Sequence, residues 1–449
     1  MKRIIGLTLV MGVLILAPIL AGGRSEQGAS RSSGGGIETI TVWSNSFHEK
    51  SLREQQIARF NDTVGKELGI KIEYTVFGND YHDAVKIAAQ TNEAPDLFRM
   101  TGDGVPDYAA AGWIVPLEEM PGGPGMIAKY DGYLITNQHI IDGKVYTLPY
   151  SLTTYKFIVN DDLFKKNNLP YPQTMADMRQ AAKVITQNGG GNEFGWVLGL
   201  KSNWTASVYG RFLGAPSVGF SGLDPVKLEY RFSDFLPVFD TIMGMIADGS
   251  VLPGSVDMDA DQMRAQFATG RVGMIPGASF DIGVYTDQFP AQCNWKVIPI
   301  PLYTANTVRQ PDIADCLNLL CVGARAKSHP EKAMKVFEYF YSDECSAEMY
   351  EQALYIPFRQ EAIAMAKTKP TQNGFAEFAS MPNLKLIPSD PEFLLPIEGE
   401  LINPTTLGMF SGALGLNTAT IIRDVDRRYN AALSAMPAAQ RESYRMSKY

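Results

Sequence analysis

The sequence predicts an α/β fold in which mostly parallel sheet is covered by helices. Strand-like and helix-like stretches alternate from Thr39 to Phe98 as strand, helix, strand, helix, strand, the order that builds parallel sheets. No repeat of fixed period is visible, which removes solenoids and propellers. The chain of 449 residues is long enough for two ordinary domains with large cores.

Each element has its own signal. Thr39-Ile-Thr-Val-Trp43 reads as the first strand. Ser51-x-x-Glu54 has the form of a capping box and is expected to open a helix burying Ile57, Phe60, Val64 and Leu68 on one face. Ile70, Ile72, Tyr74 and Val76 alternate as a second strand, Tyr81 to Gln90 reads as a helix, and Pro95-Asp-Leu-Phe98 as a third strand. Further on, Lys156 to Val159 is a strand, and Thr174-x-x-Asp177 caps a helix carrying Met178, Ala181, Ala182 and Ile185 on one side. Asp259-x-x-Gln262 introduces Met263 and Phe267, Gly270 is placed to end that helix, and Val272 to Pro276 is a strand. Trp295 to Pro301 and Leu317 to Val322 read as strands of the returning chain. Ser328-His-Pro-Glu331 is expected to cap a helix with the apolar stripe Ala333, Val336, Phe337 and Phe340, and the chain is helical beyond Thr418.

The ends bound the compartment. Lys2 and Arg3 precede an apolar run from Ile4 to Leu20, of signal-peptide length but short for a membrane span. Residues 1-23 are therefore expected to be a cleaved signal peptide and 24-36, rich in Gly and Ser, a flexible linker. Export places the protein in the periplasm or outside the cell. Leu20-Ala21-Gly22-Gly23 looks like a lipoprotein signal, yet Gly23 stands where the acylated Cys would be, so no lipid anchor is expected. The formal charge of -8 disfavours nucleic acid and anionic membrane as partners. Cys293, Cys316, Cys321 and Cys345 are too few for a disulfide scaffold and read as buried thiols or at most one bridge.

Motifs for bond-making chemistry fail on spacing. His48-Glu49 lacks the second His of a zinc protease, and no His pairs with Cys or His at metal-ligand spacing. Asp257-x-Asp259-x-Asp261 begins like a calcium loop but has Gln262 and Ala268 where Gly and Glu are required. Gly277-x-Ser279 is followed by Phe280, so there is no nucleophile elbow, and Gly189-Gly190-Gly191 lacks the lysine of a phosphate loop. No catalytic residue, metal or cofactor is expected.

A set of motifs in a fixed order then carries a resemblance. Trp43-Ser-Asn45, Ala94-Pro-Asp96, Gly112-Trp-Ile-Val-Pro-Leu117, Asp142-Gly-Lys-Val-Tyr-Thr-Leu-Pro149 with Phe157-Ile-Val-Asn160, Phe267-Ala-Thr-Gly-Arg-Val-Gly-Met274 and Ser328-His-Pro-Glu331 resemble the extracellular solute-binding proteins that deliver sugars to bacterial ABC importers, the maltodextrin-binding-protein-like branch. The resemblance implies a type II periplasmic-binding-protein-like fold, with two lobes that close on a ligand by hinge motion. It places lobe 1 at residues 37-152 and 297-326, and lobe 2 at 153-296 and 327-449. It also implies a monomer that binds a carbohydrate or polyol, a monosaccharide or short oligosaccharide fitting the limited aromatic set, and that engages the permease subunits of an ABC transporter. An exported carbohydrate-active enzyme, or a secreted structural protein keeping the receptor fold, remains an alternative.

Candidate ligand residues lie in loops after strands, where open α/β sheets collect their sites. On the first lobe they are Trp43, Asn45, Ser46, Phe47 and Asp103, the last matching a sugar-binding aspartate of the family. Tyr150 stands just before the crossing. On the second lobe they are Asn203, Trp204, Tyr209, Ser279, Phe280 and Asp281, with Tyr355 and Arg359 from a later family segment. Aromatic faces stack on sugar rings, and the polar groups take directional hydrogen bonds from hydroxyls.

Overall fold

Strands come in the order β1 (Glu38–Ser44), β2 (Ile70–Val76), β3 (Leu97–Met100), β4 (Ser151–Asn160), β5 (Met274–Ala278), β6 (Trp295–Ile298), β7 (Ile313–Asp315), β8 (Leu319–Val322), β9 (Ile356–Pro357) and β10 (Lys385–Leu386). They come from a computed structural model, which describes residues 36–447 except Asn79, Gly102, Asp103, Leu317, Asn318, Met381, Pro382, Asn383 and Leu416, and except the side chains of Asn203 and Phe393. The expected signal segment, the linker up to residue 35 and Asp103 lie outside the described residues.

The first sheet runs β8-β3-β1-β2. β1 is parallel to β2, in register from Glu38 opposite Ile70 to Ser44 opposite Val76, and parallel to β3, while β8 closes the edge antiparallel to β3. Period-two patterning puts Ile40, Val42, Ile70 and Ile72 inside, as the sequence predicts. Helix α1 (Lys50–Asp62) follows β1 through the tight turn Phe47–Glu49, and Ser51 makes no cap. Ile57 and Phe60 are buried on it, but Val64 and Leu68 are 45% and 44% exposed. The backbone leaves helical geometry at Thr63, and that break rotates the next turn away from the core. Helix α2 (Tyr81–Gln90) lies where expected.

The second sheet is built around the ten-residue strand β4 and departs from the mostly parallel expectation. β5, β6, β7 and β9 all pair with β4 antiparallel, and only β10 runs parallel to its neighbour β7. The physical reason is the crossing itself. β4 carries the chain away from the first sheet, and the strands that return beside it run the other way. A type I′ hairpin precedes β4, with Ile140–Ile141 paired to Lys144–Val145 around Asp142 and Gly143, both at positive φ.

Helix α3 (Met175–Asn188) starts at the predicted reciprocal cap. Asp177 N–H donates to Thr174 Oγ1 at 3.2 Å, and Thr174 N–H donates to the Asp177 carboxylate at 2.9 Å. After the short helix α4 (Asn203–Ser207), α5 (Ala260–Ala268) has the same device at Asp259 and Gln262. Helix α6 (Pro330–Phe340) buries the predicted stripe, but Ser328 Oγ donates to Arg325 O and caps nothing.

That stripe corrects the expected division of the chain. Ala333, Val336, Phe337 and Phe340 share a core with Ile40, Val42 and Leu320 of the first sheet, so the segment 327-449 does not lie wholly with the second. Conversely, Val297 and Ile298 belong to the core around β4, and the chain returns to the first sheet only at β8. All four cysteines are free thiols, three of them buried. Among the described residues, no helix is long and apolar enough to cross a membrane.

Candidate functional site

The loop after β1 and the loop after β5 meet, one from each sheet. His48, in the turn that follows β1, sets its ring 6.0 Å from the ring of Phe280, which follows β5. Gly283 sits where the loops touch: a Cβ there would meet His48 Cβ at 3.4 Å and Leu354 Cδ2 at 3.5 Å, ordinary contact distances that leave room for nothing larger than a methyl group. Between them the two loops bring together an ionic floor and an aromatic corner.

The floor belongs to the first sheet. Arg99, on β3, donates to Glu49 Oε1 at 3.1 Å, and Arg53, one helical turn after Glu49, lies 3.9 Å from its other oxygen. Arg53 donates to the Tyr150 hydroxyl and to Gln56 Oε1, and its guanidinium also lies 4.7 Å from the Phe340 ring. Tyr355 packs 5.6 Å from Tyr150. Burial alone would raise the Glu49 carboxyl, but Arg99, His48 and Arg53 outweigh it and hold it below its usual range. Burial pushes the His48 imidazole down to about 4, with Glu49 opposing and Arg99 and Arg264 adding to the effect. A cavity of only about 10 Å³, the room of a single water, remains among Ser44, Glu49, Arg99 and Tyr150.

The corner belongs to the second sheet. Trp204, on α4, is 39% exposed and stands edge-on to Phe280 with ring centroids 6.3 Å apart. The α4 helix and the short turn Asp281–Gly283 each run into a π-helical turn, Val208–Phe212 and Val284–Gln288, a distortion common at functional sites. Asp281 is buried. One of its oxygens accepts from Arg264 at 2.9 Å and the other from Ala278 N–H at 2.8 Å. Burial raises its carboxyl even against Arg264. Both of its oxygens are thus tied to the second sheet's own scaffold, which holds the group as an anchor.

The structure sorts the predicted residues. Phe47, 49% exposed, and Asn45 are open at the first-sheet rim, with Trp204 and Phe280 opposite. Ser46 is buried, its N–H donating to Ser44 Oγ. Trp43 packs on Phe77 at 4.6 Å within an outer cluster of the first sheet, and Tyr150 and Tyr355 are buried beneath the floor. Ser279 joins the loop to the crossing, its N–H donating to Thr154 O and its Oγ accepting from Thr154 N–H. Two candidates are corrected. Tyr209 is fully buried against Trp196 with its hydroxyl on Val197 O, because the helical turn after α4 points it into the core. Arg359 is spent on Asp343 and Glu361 and on the Lys129 carbonyl. Asn203 opens α4, with its side chain outside the description, as is Asp103.

Sequence reasoning missed His48, Glu49, Arg53, Arg99, Arg264 and Gly283. Glu49 and Arg53 at i and i+4 were the one local signal. The larger hollows lie elsewhere: about 540 Å³ between α3 and the helix Leu236–Ala247, and about 510 Å³ beside Trp113 and Arg325, neither lined by these loops. Among the described residues no group of three or more His, Cys, Asp or Glu side chains is placed to hold a metal ion.

Comparison with known proteins agrees with this architecture. The model of a family described as bacterial extracellular solute-binding protein matches residues 55–376. The chain belongs to that family. Binding proteins of Brucella abortus and Brucella suis are 22% identical to this solute-binding protein over 328 residues, covering 69% of it and 75% of each relative. The GacH receptor of Streptomyces glaucescens, solved without ligand and with acarbose, superposes with a TM-score of 0.69 at 19% identity, over 89% of this chain and 99% of its own. A solute-binding protein of a Thermotoga lettingae ABC transporter, bound to α-D-tagatose, gives 0.68 at 20% identity, over 88% and 99%. RafE in complex with raffinose gives 0.66 at 18%, over 88% and 99%. The fold is that of the type II periplasmic-binding-protein-like receptors.

Proposed function

We propose that this solute-binding protein captures a sugar, either a monosaccharide, a short oligosaccharide or a polyol, between its two sheets, and passes it unchanged to the permease subunits of an ABC importer. One observation carries the reading. An exposed aromatic corner on the loops of one sheet lies against the loop of the other that carries the exposed Asn45 and Phe47, the two loops meeting through His48 and Phe280. Aromatic faces suit the apolar faces of a sugar ring, and Asn45 offers both donor and acceptor to hydroxyls. The acarbose, tagatose and raffinose bound by proteins of the same fold support the ligand class. The receptor acts as a monomer in the periplasm or outside the cell and releases its ligand unchanged.

Melting the protein against a panel of neutral sugars, polyols and sugar acids tests this, because a ligand that binds only the folded state must raise the melting temperature. A shift with at least one sugar, lost in Trp204→Ala and accompanied by recovery of the intact sugar, is the expected result. A panel without any shift, or a cleaved sugar, overturns it.

A further inference from the structure

We propose that Arg264 is the positioning residue of the aromatic corner: it holds Trp204 and Phe280 at the angle a ligand ring meets, without touching the ligand. The proposal rests on the sugar-receptor reading for its ligand, but its geometry stands alone. Arg264 lies on α5, buried behind the exposed Trp204. Its guanidinium carbon is 5.0 Å from the Trp204 ring centre and 5.3 Å from that of Phe280, so one flat cation touches both walls of the corner.

Two carboxylates fix the cation in turn. Nε donates to Asp281 Oδ1 at 2.9 Å and Nη1 donates to Asp261 Oδ1 at 3.1 Å. Asp281 is itself tied to the end of β5 through the Ala278 N–H, so the chain of contacts runs from strand to carboxylate to guanidinium to ring. A planar fork can serve two carboxylates through its edge while its face lies against rings. An ammonium keeps the charge but cannot keep both directions at once. Trp204 has little else to steady it, being more than a third exposed at the second residue of a five-residue helix. Without the fork, its ring has several rotamers open and must be ordered again by each ligand, which weakens binding.

The test uses the full mature protein labelled with 5-fluorotryptophan, with the Trp204 line assigned by Trp204→Phe. The variant Arg264→Lys keeps a cation for Asp281 and so protects the fold. Its Trp204 line is expected to shift or broaden while the lines of the other four tryptophans stay in place. Affinity for raffinose or D-tagatose, whichever the wild type binds, should fall about tenfold by calorimetry. Asp261→Asn removes one anchor at an exposed position and should move the same line by less. Arg179→Lys, at an ion pair with Asp248 away from the corner, should leave it unmoved. An unmoved Trp204 line in both Arg264→Lys and Asp261→Asn overturns the proposal. If the wild type binds neither sugar, the ligand reading fails while the fluorine spectrum still decides the role of Arg264.

Discussion

Acid should loosen the contact between the two loops through His48, and the size of the effect follows from its burial. An imidazole in an unfolded chain titrates near 6.5, whereas burial against Phe280 and Gly283 brings this one to about 4. The folded protein therefore keeps His48 neutral where the unfolded chain has already taken up a proton. Above pH 6.5 both states are neutral and the group contributes no pH dependence. As pH falls from 6.5 towards 4 the unfolded state binds the proton first and stability declines, until the folded state is protonated too. The gap of about 2.5 units corresponds to about 3.5 kcal/mol at about 1.4 kcal/mol per unit. Glu49, held low, adds a loss of the same sign at lower pH still. Urea unfolding at a series of pH values from about 7.5 to 4.5, on wild type and His48→Gln, isolates the group, because the titrations common to both chains cancel in the difference. The wild type should lose roughly 2.5 kcal/mol more than His48→Gln across that range, the remainder coming only below about pH 4. Parallel curves would show a solvated imidazole and refute the reasoning that the loops bury it.

Three further outcomes are expected. Glu49→Gln leaves the buried guanidiniums of Arg53 and Arg99 without their shared carboxylate and should cost about 3–5 kcal/mol in urea unfolding; a loss below about 1 kcal/mol would mean that solvent reaches them. Gly283→Leu drives a side chain towards His48 and Leu354, so small-angle scattering should give a larger radius of gyration and calorimetry a weaker sugar affinity, with the thermal transition still cooperative. Arg359→Ala should leave sugar affinity unchanged within about twofold and lower stability by no more than about 1 kcal/mol, and a tenfold affinity loss would return Arg359 to the site.

What the sequence made legible was local. The caps at Thr174 and Asp259 and the stripe from Ala333 to Phe340 are each decided within a few residues, and they fold as read. Val64 and Leu68 continue the same apparent stripe as Phe60, but a backbone break at Thr63 carries no residue signature in a three-four count. Antiparallel pairing along β4 was hidden because its partners come from far along the chain, as late as Ile356 and Pro357. The ionic floor was hidden for the same reason, Arg99 finding Glu49 across fifty residues. Trp204 and Phe280 were legible as aromatics after turns, whereas the arginine behind them sat in a helix where nothing marks its partners. Tyr209 shows the opposite error: a tyrosine in a glycine-bounded segment reads as available until the helix phase is known.

The way β4 is bonded limits how this receptor can bend. Phe157, Ile158 and Val159 are clasped from both sides by β5 and β6, while Ser151 to Thr154 hold on to β7 and β9 by ladders only two residues long. Main-chain pairing is therefore sparser over those four residues than anywhere beyond Tyr155, and bending β4 there breaks the fewest ladder bonds. The salt link from Lys156 to Asp312 and the hydroxyl link from Tyr155 to Asp315 rivet β4 to its neighbour at that boundary, so that a bend in one strand must carry the other with it.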